Sequence, residues 1–350
     1  MERHKLGTIP VDEMAAGYTP TGVPAVSVAP MMDYTDRHYR YFFRKISRHT
    51  LLYTEMVTSV AIIHGDRDRL LAFDESEHPL SLQLGGDDPD EIARAIEIAE
   101  AYGYDEFNLN VGCPSDRVQN GNFGACLMAT PHHVAGIAAA MRHATDRPVT
   151  IKHRIGIDGR ESYDEMLEFV DTVAAAGISR FTVHARIAIL AGLDPKQNRN
   201  IPPLRYDDVY RLKQERPYLE IEINGHVKSI AEIVRHRQHV DAVMVGRSAY
   251  DDPWMFSGVD TAIFGDPPAG TDRETVVRSV YEYLDRLEAA GQPPRRVINH
   301  MLGLFAGRPG ARKWKQALSG RLPDIPGREL LERALHRVPP EVRSEGPRPA

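Results

Sequence analysis

Cys113 directly follows a strand-like segment, a position at which a reactive side chain would be held at the end of a strand. Phe107, Leu109 and Val111 alternate along that segment with polar residues, which is the pattern of a strand with one apolar face. A thiol has an ordinary pKa of about 8.5, so it is mostly protonated at neutral pH and can still release its proton. A lone cysteine without such a context is more often a small buried apolar residue, and we assign that role to Cys126.

Polar side chains share one face of several strand-like segments, where apolar residues would be usual. These residues are Asn108 and Asn110, Ser81 and Gln83, Lys152 and Arg154, Thr182 and His184, and Glu222 and Asn224. Buried polar groups need hydrogen-bond partners, so these side chains must contact one another or a ligand. A solvated end of the sheet is the alternative, but lysine is rarely buried without a partner. The pattern therefore favours a binding site.

Glycines follow the last two strand-like segments and indicate the kind of ligand. Asn224 and Gly225 end the seventh segment, and Gly246 and Arg247 end the eighth. Small residues allow backbone N–H groups to approach an anion. An isolated Asn-Gly pair is usually only a turn, but a Gly-Arg pair one strand later makes a phosphate or a phosphorylated cofactor the favoured ligand.

Eight strand-like segments begin at Val23, Leu51, Pro79, Glu106, Val149, Arg180, Leu219 and Ala242. Helical patterns separate most of them, and two carry clear start signals: Asp88 as N-cap before Pro89, and the capping box of Ser162 and Glu165. These repeated units predict an α/β protein, a (β/α)8 TIM barrel whose active site lies at the carboxyl ends of the strands. From about residue 272 onward only helical patterns occur, which predicts a C-terminal all-helical domain.

The predicted elements divide the chain into four parts. We expect residues 1–20 to be a disordered N-terminal extension and residues 21–265 to be the TIM-barrel catalytic domain. Residues 271–340 would form the helical domain, and residues 341–350 a flexible tail.

Composition argues against several classes of protein. The net charge of −6 disfavours indiscriminate nucleic-acid binding but allows local basic patches. Cys113 and Cys126 are the only cysteines, so we expect no disulfide framework, no zinc or iron–sulfur site and no metal ligand set. No segment approaches about 18 consecutive apolar residues, and the N-terminus lacks the apolar core of a signal peptide. We expect a cytoplasmic protein without a membrane span, and the sequence implies no protein partner.

Several motifs resemble, in order and spacing, those of the tRNA-dihydrouridine synthases. They are APMMDYTDRHYRYF, TEMVTS, LQLGG, NLNVGCPSDRVQNGNFGACLM, IKHRIGID, HAR and VMVGR. The long segment around Cys113, together with HMLGLFAGRPGARKW, is similar to the A subfamily. The resemblance covers nearly the whole chain and implies an enzyme that binds FMN, takes electrons from NADPH and reduces uridine in the D-loop of tRNA near position 20.

The resemblance also assigns residues to the cofactor. Pro30, Met31, Met32, Gln83, Lys152 and His184 would contact the flavin, and Asn224, Gly225, His226, Gly246 and Arg247 would hold its phosphate. A lysine beside the ring suits this role because it stabilises the negative charge of a reduced flavin. One departure is His226, where the family pattern leads us to expect glycine; a position that requires a positive φ would be strained with histidine.

The resemblance makes Cys113 the proton donor. Reduction of the uracil double bond requires a hydride at carbon 6 and a proton at carbon 5 from the opposite face, and a thiol can supply that proton. Asn110 would hydrogen-bond the uracil or its ribose. Arg154 would assist at the base carbonyls, with a structural ion pair as the alternative.

A buried flavin requires the target uridine to leave the folded tRNA and enter the pocket, so positive charge is expected around the entrance. Lys196 and Arg199, in the long loop after the sixth segment, match tRNA-contact positions of the family, as do Arg312 and Lys315 in the helical domain. At Lys315 only the charge matches, because arginine is the expected residue. A solvated helix face remains the alternative for the basic stretch 295–315.

Two other functions remain open from the sequence. The chain could be a flavin-dependent barrel that reduces a free pyrimidine, which would not need the basic helical domain. It could also be a tRNA-binding protein that retains the fold without the flavin, in which case the purified protein would be colourless.

Overall fold

We analysed the protein as a computed structural model. It describes residues 17–119, 121–268, 270–320 and 325–349. Most of the expected N-terminal extension therefore lies outside the described residues. Residues 17–20 of that segment lie against the barrel, where Tyr18 forms a bridge with Pro24 and the Ala25 N–H donates to the carbonyl of Gly17 at 2.8 Å.

Nine parallel strands build the sheet within the described residues. They are β1 (Val26–Val28), β2 (Leu52–Tyr53), β3 (Val57–Thr58), β4 (Leu80–Gly85), β5 (Glu106–Val111), β6 (Val149–Arg154), β7 (Arg180–His184), β8 (Glu220–Asn224) and β9 (Ala242–Val245). The second predicted segment, residues 51–56, contains β2 and is followed by β3; both strands pair with β4 and share one position in the barrel.

The sheet closes into a barrel of eight strand positions. The pairing order is β1, β9, β8, β7, β6, β5, β4, β2. Between β1 and β2 the ring is completed by a parallel bridge from Ser27 to Leu51, with the Val28 N–H donating to the Leu51 carbonyl at 2.9 Å. The predicted TIM barrel is confirmed.

Helices connect the strands and cover the outside of the barrel. They are α1 (Arg37–Arg44), α2 (Ser59–His64), α3 (Arg67–Leu71), α4 (Pro89–Ala99), α5 (Asp116–Gln119), α6 (Pro131–Ala144), α7 (Tyr163–Ala175), α8 (Tyr206–Glu215), α9 (Ile230–His236), α10 (Arg247–Asp251) and α11 (Val259–Phe264). Asp88 caps α4 and Ser162 opens α7 in a capping box, as predicted. The apolar strand faces, such as Leu82, Leu109 and Val183, are fully buried beneath these helices.

A buried charged network occupies the amino-terminal half of the barrel interior. Arg180 lies between two carboxylates, with guanidinium nitrogens 3.0 Å from Glu106 and 3.4 Å from Glu222. Five hydroxyl groups donate to these carboxylates at 2.5–3.0 Å, those of Tyr53, Ser81 and Thr150 to Glu106 and those of Ser27 and Thr182 to Glu222. Burial alone would lower the pKa of Arg180, but the two carboxylates raise it. We call these eight residues the floor network.

The C-terminal region is helical, also as predicted. It contains α12 (Arg273–Arg278), α13 (Tyr281–Ala289), α14 (Arg295–Ile298), α15 (Ala311–Leu318), α16 (Gly327–Leu335) and α17 (Pro340–Arg343). The buried Arg273 joins this region to the barrel, because its guanidinium lies 4.7 Å from the ring centre of Trp254 and donates to the Leu304 carbonyl at 3.1 Å.

The end of the chain packs against the barrel in the described residues, in contrast to the flexible tail expected from the sequence. Glu345 accepts from Arg273 at 2.7 Å, and Arg348 pairs with Asp252 at 2.6 Å. The Arg348 N–H also donates to the hydroxyl of Ser257 at 3.0 Å. These charged contacts hold residues 341–349, which a Pro-rich composition alone does not indicate.

Candidate active site

A cleft of about 2060 Å³ opens at the carboxyl ends of the strands. All the residues assigned to the site from the sequence line it except Lys196, Arg312 and Lys315. The lining residues among them are Pro30, Met31, Met32, Gln83, Asn110, Cys113, Lys152, Arg154, His184, Arg199, Asn224, Gly225, His226, Gly246 and Arg247. Side chains from seven strand positions therefore converge on one space.

A chain of side-chain amides runs below the Cys113 loop. Asn110 accepts from the backbone N–H groups of Gly112 at 3.1 Å and Cys113 at 2.9 Å, and its amide donates to Gln83 at 2.8 Å. Gln83 in turn donates to Asn108 at 2.8 Å. The two amides on the inner face of β5 are thus hydrogen-bonded through Gln83 of β4, and Asn110 keeps one N–H for a ligand.

The loop that carries Cys113 is fixed by a close backbone contact. The Ala125 N–H donates to the carbonyl of Cys113 at 2.9 Å. Gly124, at φ +76°, permits this approach, since a Cβ there would lie 2.6 Å from the same carbonyl oxygen. The thiol of Cys113 is half-buried and lies 3.5 Å from the hydroxyl of Ser115. The thiol of Cys126 instead donates to the Phe123 carbonyl at 3.1 Å, and burial raises its pKa.

Three basic side chains face the cleft from β6 and β7. Lys152 makes no hydrogen bond with the described part of the chain, and burial together with the nearby Arg154 lowers its pKa to about 8. Burial also lowers the pKa of Arg154 to about 10 and that of His184 well below its ordinary value, so His184 is neutral. An anion bound in the cleft would stabilise the charged forms of Lys152 and Arg154.

Arg154 organises the loops around the cleft. Its guanidinium donates to three backbone carbonyls, those of Gly112 at 2.9 Å, Ile187 at 3.0 Å and Asn198 at 3.2 Å. It forms no ion pair with any residue that the structure describes, so the structural ion pair considered from the sequence is not present there.

The predicted phosphate corner lies at the ends of β8 and β9. Gly225 has φ +140°, and a Cβ at this position would lie 2.9 Å from the side chain of Leu204. His226 has φ +57°, the left-handed conformation that makes histidine strained at this site. Arg247 donates to the side chain of Asn200 at 3.0 Å and has no carboxylate within 4.0 Å among the described residues. Its charge is therefore available to an anion.

The four cations assigned to tRNA differ in position. Arg199 lines the cleft, where burial and the nearby Arg247 lower its pKa. Lys196 is exposed three residues earlier in the same loop. On α15, Arg312 and Lys315 are exposed and form no ion pair within the described ranges, whereas the neighbouring Arg308 is paired with Glu345.

The comparison with protein families identifies the fold and the motifs together. Residues 27–333 match the family model described as dihydrouridine synthase. The chain belongs to the dihydrouridine synthase family. The family resemblance predicted from the motifs is confirmed, and the chain is an enzyme of the oxidoreductase class.

Relatives within this family are similar along most of their length. A protein of Synechocystis sp. is 53% identical over 319 residues, covering 91% of this chain and 96% of the relative. Proteins of Vibrio parahaemolyticus and Escherichia coli K12 are 51% and 54% identical, covering 91% and 84% of this chain and 98% and 85% of the relatives. All three are named tRNA-dihydrouridine(20/20a) synthase.

A solved structure shares the barrel fold of this dihydrouridine synthase. A complex of 2-naphthoyl-CoA reductase matches with a TM-score of 0.50 and 10% sequence identity. The match covers 67% of this chain and half of the reductase chain. At this identity the likeness concerns the fold alone.

The family motifs left two positioning residues of this dihydrouridine synthase without a role. Asn198, which is fully buried, donates to the carbonyls of Ile189 and Leu193 and offers its own carbonyl to Arg154. Arg186 is buried behind the phosphate corner and donates to the carbonyl of Pro202. An asparagine inside a turn-rich loop is a signal for the first. The second is the arginine of the HAR motif, to which no role was assigned from the sequence.

Proposed function

We propose that this protein is a tRNA-dihydrouridine synthase that reduces uridine at positions 20 and 20a of the D-loop, with FMN as cofactor and NADPH as reductant. The relatives that are about half identical in sequence carry this name. The observation that carries the proposal is one cleft in which a half-buried thiol, basic side chains without a carboxylate partner among the described residues, and the glycine corner at Gly225 and Gly246 occur together.

The residues of the cleft fit a phosphorylated flavin. The backbone at Gly225, whose φ of +140° favours glycine, and the guanidinium of Arg247, which has no carboxylate within 4.0 Å among the described residues, suit a phosphate group. Lys152 makes no hydrogen bond or ion pair with the residues that the structure describes, which supports a role beside a group that carries negative charge when reduced. The chemistry that FMN supplies when bound is transfer of hydride from NADPH to the substrate. Pro30, Met31, Met32, Gln83, His184, Asn224, His226 and Gly246 complete the proposed cofactor set.

The chain's own contribution to the reaction is a positioned proton donor. The Cys113 thiol gives its proton to carbon 5 of the uracil, and Ser115 lies close enough to share a hydrogen bond with the sulfur. Asn110 fixes the backbone N–H groups of Gly112 and Cys113 and retains one N–H for the base or its ribose. Arg154 joins the loop after β5 to two points of the long loop after β7 and thereby fixes the shape of the pocket.

Charge around the cleft supports tRNA over a free pyrimidine. Lys196, Arg199, Arg312 and Lys315 are exposed and have no carboxylate within 4.0 Å among the described residues, although the chain as a whole is acidic. Phosphate groups bind such cations, and the target base must be extruded to reach the thiol. A reductase of free pyrimidines would gain nothing from Arg312 and Lys315, which lie on the helical region outside the cleft.

The test is an assay of the purified protein with unmodified tRNA and NADPH. We expect a flavin absorbance spectrum, oxidation of NADPH that depends on tRNA, and dihydrouridine at positions 20 and 20a. Turnover of free uracil without any product in tRNA would overturn the proposal in favour of a pyrimidine reductase, and a colourless protein that binds tRNA would favour a binding function.

A further inference from the structure

Tyr34 places an exposed aromatic ring at the edge of the active-site cleft. Its side chain is 43% exposed, although most tyrosines of a folded chain are largely covered, and it lines the cleft together with Cys113. The ring contacts that of Tyr250 edge-on, with centroids 4.5 Å apart. Neither the cofactor nor the proton transfer assigned above uses this side chain.

The turn that carries Tyr34 is held by hydrogen bonds. The Tyr34 N–H donates to the Met31 carbonyl at 3.1 Å, and the hydroxyl of Thr35 accepts from the Met31 N–H at 3.0 Å. Asp33 adopts φ +66°, which is unfavourable for a residue with a Cβ, and its N–H donates to the carboxylate of Glu55. These bonds hold the backbone that carries the ring, so little backbone entropy is lost when a ligand binds it.

Tyr250, which contacts the ring of Tyr34, is also held by its neighbours. Tyr250 stacks on the buried Tyr39 with centroids 5.6 Å apart, and its hydroxyl is 3.2 Å from Nδ1 of His300 in the helical region. Burial, with smaller effects of Tyr34 and Asp36, raises the pKa of Tyr250 to about 12, so its hydroxyl keeps its proton. Tyr34 thus lines the cleft and rests edge-on against a tyrosine that is itself held by Tyr39 and His300.

We propose that Tyr34 stacks on a nucleobase adjacent to the target uridine in the tRNA. This inference rests on the proposed function. When a base leaves its stack, its neighbours lose a stacking surface, and an aromatic side chain can replace it. Arg199 lines the same cleft as Tyr34 and can bind the phosphate that joins the two nucleotides. A nucleobase therefore fits this position better than a peptide, because the exposed ring shares the cleft with Arg199, which has no carboxylate within 4.0 Å among the described residues.

The experiment compares four variants for dihydrouridine formation in unmodified tRNA. Tyr34→Ala removes the ring, Tyr34→Leu keeps an apolar contact to Tyr250 without an aromatic face, and Tyr34→Phe keeps the aromatic face without the hydroxyl. Tyr218→Ala is the matched control, since Tyr218 is a 70% exposed tyrosine that does not line the cleft. We expect kcat/KM to fall about tenfold for the alanine and leucine variants and to stay near wild type for the other two. Flavin content and flavin reduction by NADPH should be unchanged in all four.

A second substrate identifies the contacted group. In synthetic tRNA that lacks the base on one side of the target uridine, wild type and Tyr34→Ala should react equally if that base stacks on Tyr34. Wild-type kinetics of Tyr34→Ala on intact tRNA, or the same loss on abasic tRNA at both neighbouring positions, would overturn the inference alone. Wild-type enzyme that forms no dihydrouridine would overturn the proposed function, and the inference with it.

Discussion

The floor network and the cleft above it both contain buried basic side chains, but they differ in whether carboxylates pair with them. In the floor network, Arg180 is enclosed by two carboxylates whose oxygens also accept from hydroxyl groups. At the mouth of the barrel, where the cleft lies, Lys152 and Arg154 lie on the same inner face, yet neither has a carboxylate partner within the described residues. The polar alternation along the strands is continuous through both regions.

This difference indicates that the floor network stabilises the fold and that the cleft binds ligands. A buried charge that is paired and hydrogen-bonded contributes to a defined fold, whereas removal of one partner leaves an uncompensated charge. A buried cation without a partner costs free energy until an anion arrives. The barrel therefore satisfies its polar groups at the bottom and leaves those at the top for ligands. Variants at the two levels should change different properties.

The largest effect on activity is expected for Cys113→Ala at the mouth. Loss of a positioned proton donor should lower the rate of dihydrouridine formation by roughly 10²–10⁴-fold, because general acid catalysis typically contributes this much. The free energy of unfolding and the flavin content should stay close to wild type, since the half-buried thiol forms only a 3.5 Å contact with Ser115. Single-turnover reduction of tRNA measures the rate. Cys126→Ala is the matched control, and an equal loss in both variants would refute the assignment of Cys113.

Arg180→Met tests the floor network with the opposite expectation. The variant leaves Glu106 and Glu222 buried without their shared cation, so unfolding free energy should fall by about 3–5 kcal/mol. Urea unfolding provides the measurement. Arg216→Met is the control, because Arg216 pairs with Asp171 at 2.6 Å on the surface, where such pairs contribute about 0–1 kcal/mol. Equal losses in the two variants would show that the floor network is not the stabilising element argued above.

Lys152→Met should stabilise the flavin-free protein at neutral pH. Because the pKa of Lys152 is lowered to about 8 in the folded state, the unfolded chain binds more protons between pH 8 and the ordinary lysine pKa of 10.5. The free energy of unfolding of the wild type should therefore rise with pH across this range, and the methionine variant should lack that rise. At pH 7 the variant should be more stable by about 2 kcal/mol, a value lowered because part of the side chain faces the solvent of the cleft. Urea unfolding at pH 7 and at pH 10 tests both statements. Lys213→Met is a control, since Lys213 is paired with Asp241 at 2.8 Å; a stabilisation of the same size there would remove the link to the cleft.

Particular residues show what could be predicted from the sequence. The alternation of Leu80, Leu82 and Leu84 with polar residues located β4 and its inner face, because the strand period is a local property. The pairing of Arg180 with Glu106 and Glu222 could not be found in the same way, since it depends on the register of three strands that are distant in sequence.

The candidate site shows the same division. Family motifs indicated the cleft residues but not which of their hydrogen-bonding groups are free. Asn110, for example, was expected to bind the base, yet its oxygen is occupied by two backbone N–H groups. Arg308 belongs to the basic stretch of the helical region, but Glu345 pairs with it from a segment expected to be a flexible tail. Charge that depends on such long-range contacts cannot be assigned from composition.

The smallest predicted effect concerns His226 at the phosphate corner. Its φ of +57° is unfavourable for histidine, so His226→Gly should raise the free energy of unfolding by up to about 1 kcal/mol. If the corner binds phosphate through backbone N–H groups, the flavin dissociation constant should change by less than about threefold, because glycine keeps the N–H group. Asn122→Gly is the control, at another described position with a positive φ, +55°, that does not line the cleft. A tenfold loss of flavin affinity in His226→Gly alone would show that the imidazole itself contacts the cofactor. The phosphate corner would then bind its ligand through a side chain, as we infer for Lys152 in the cleft.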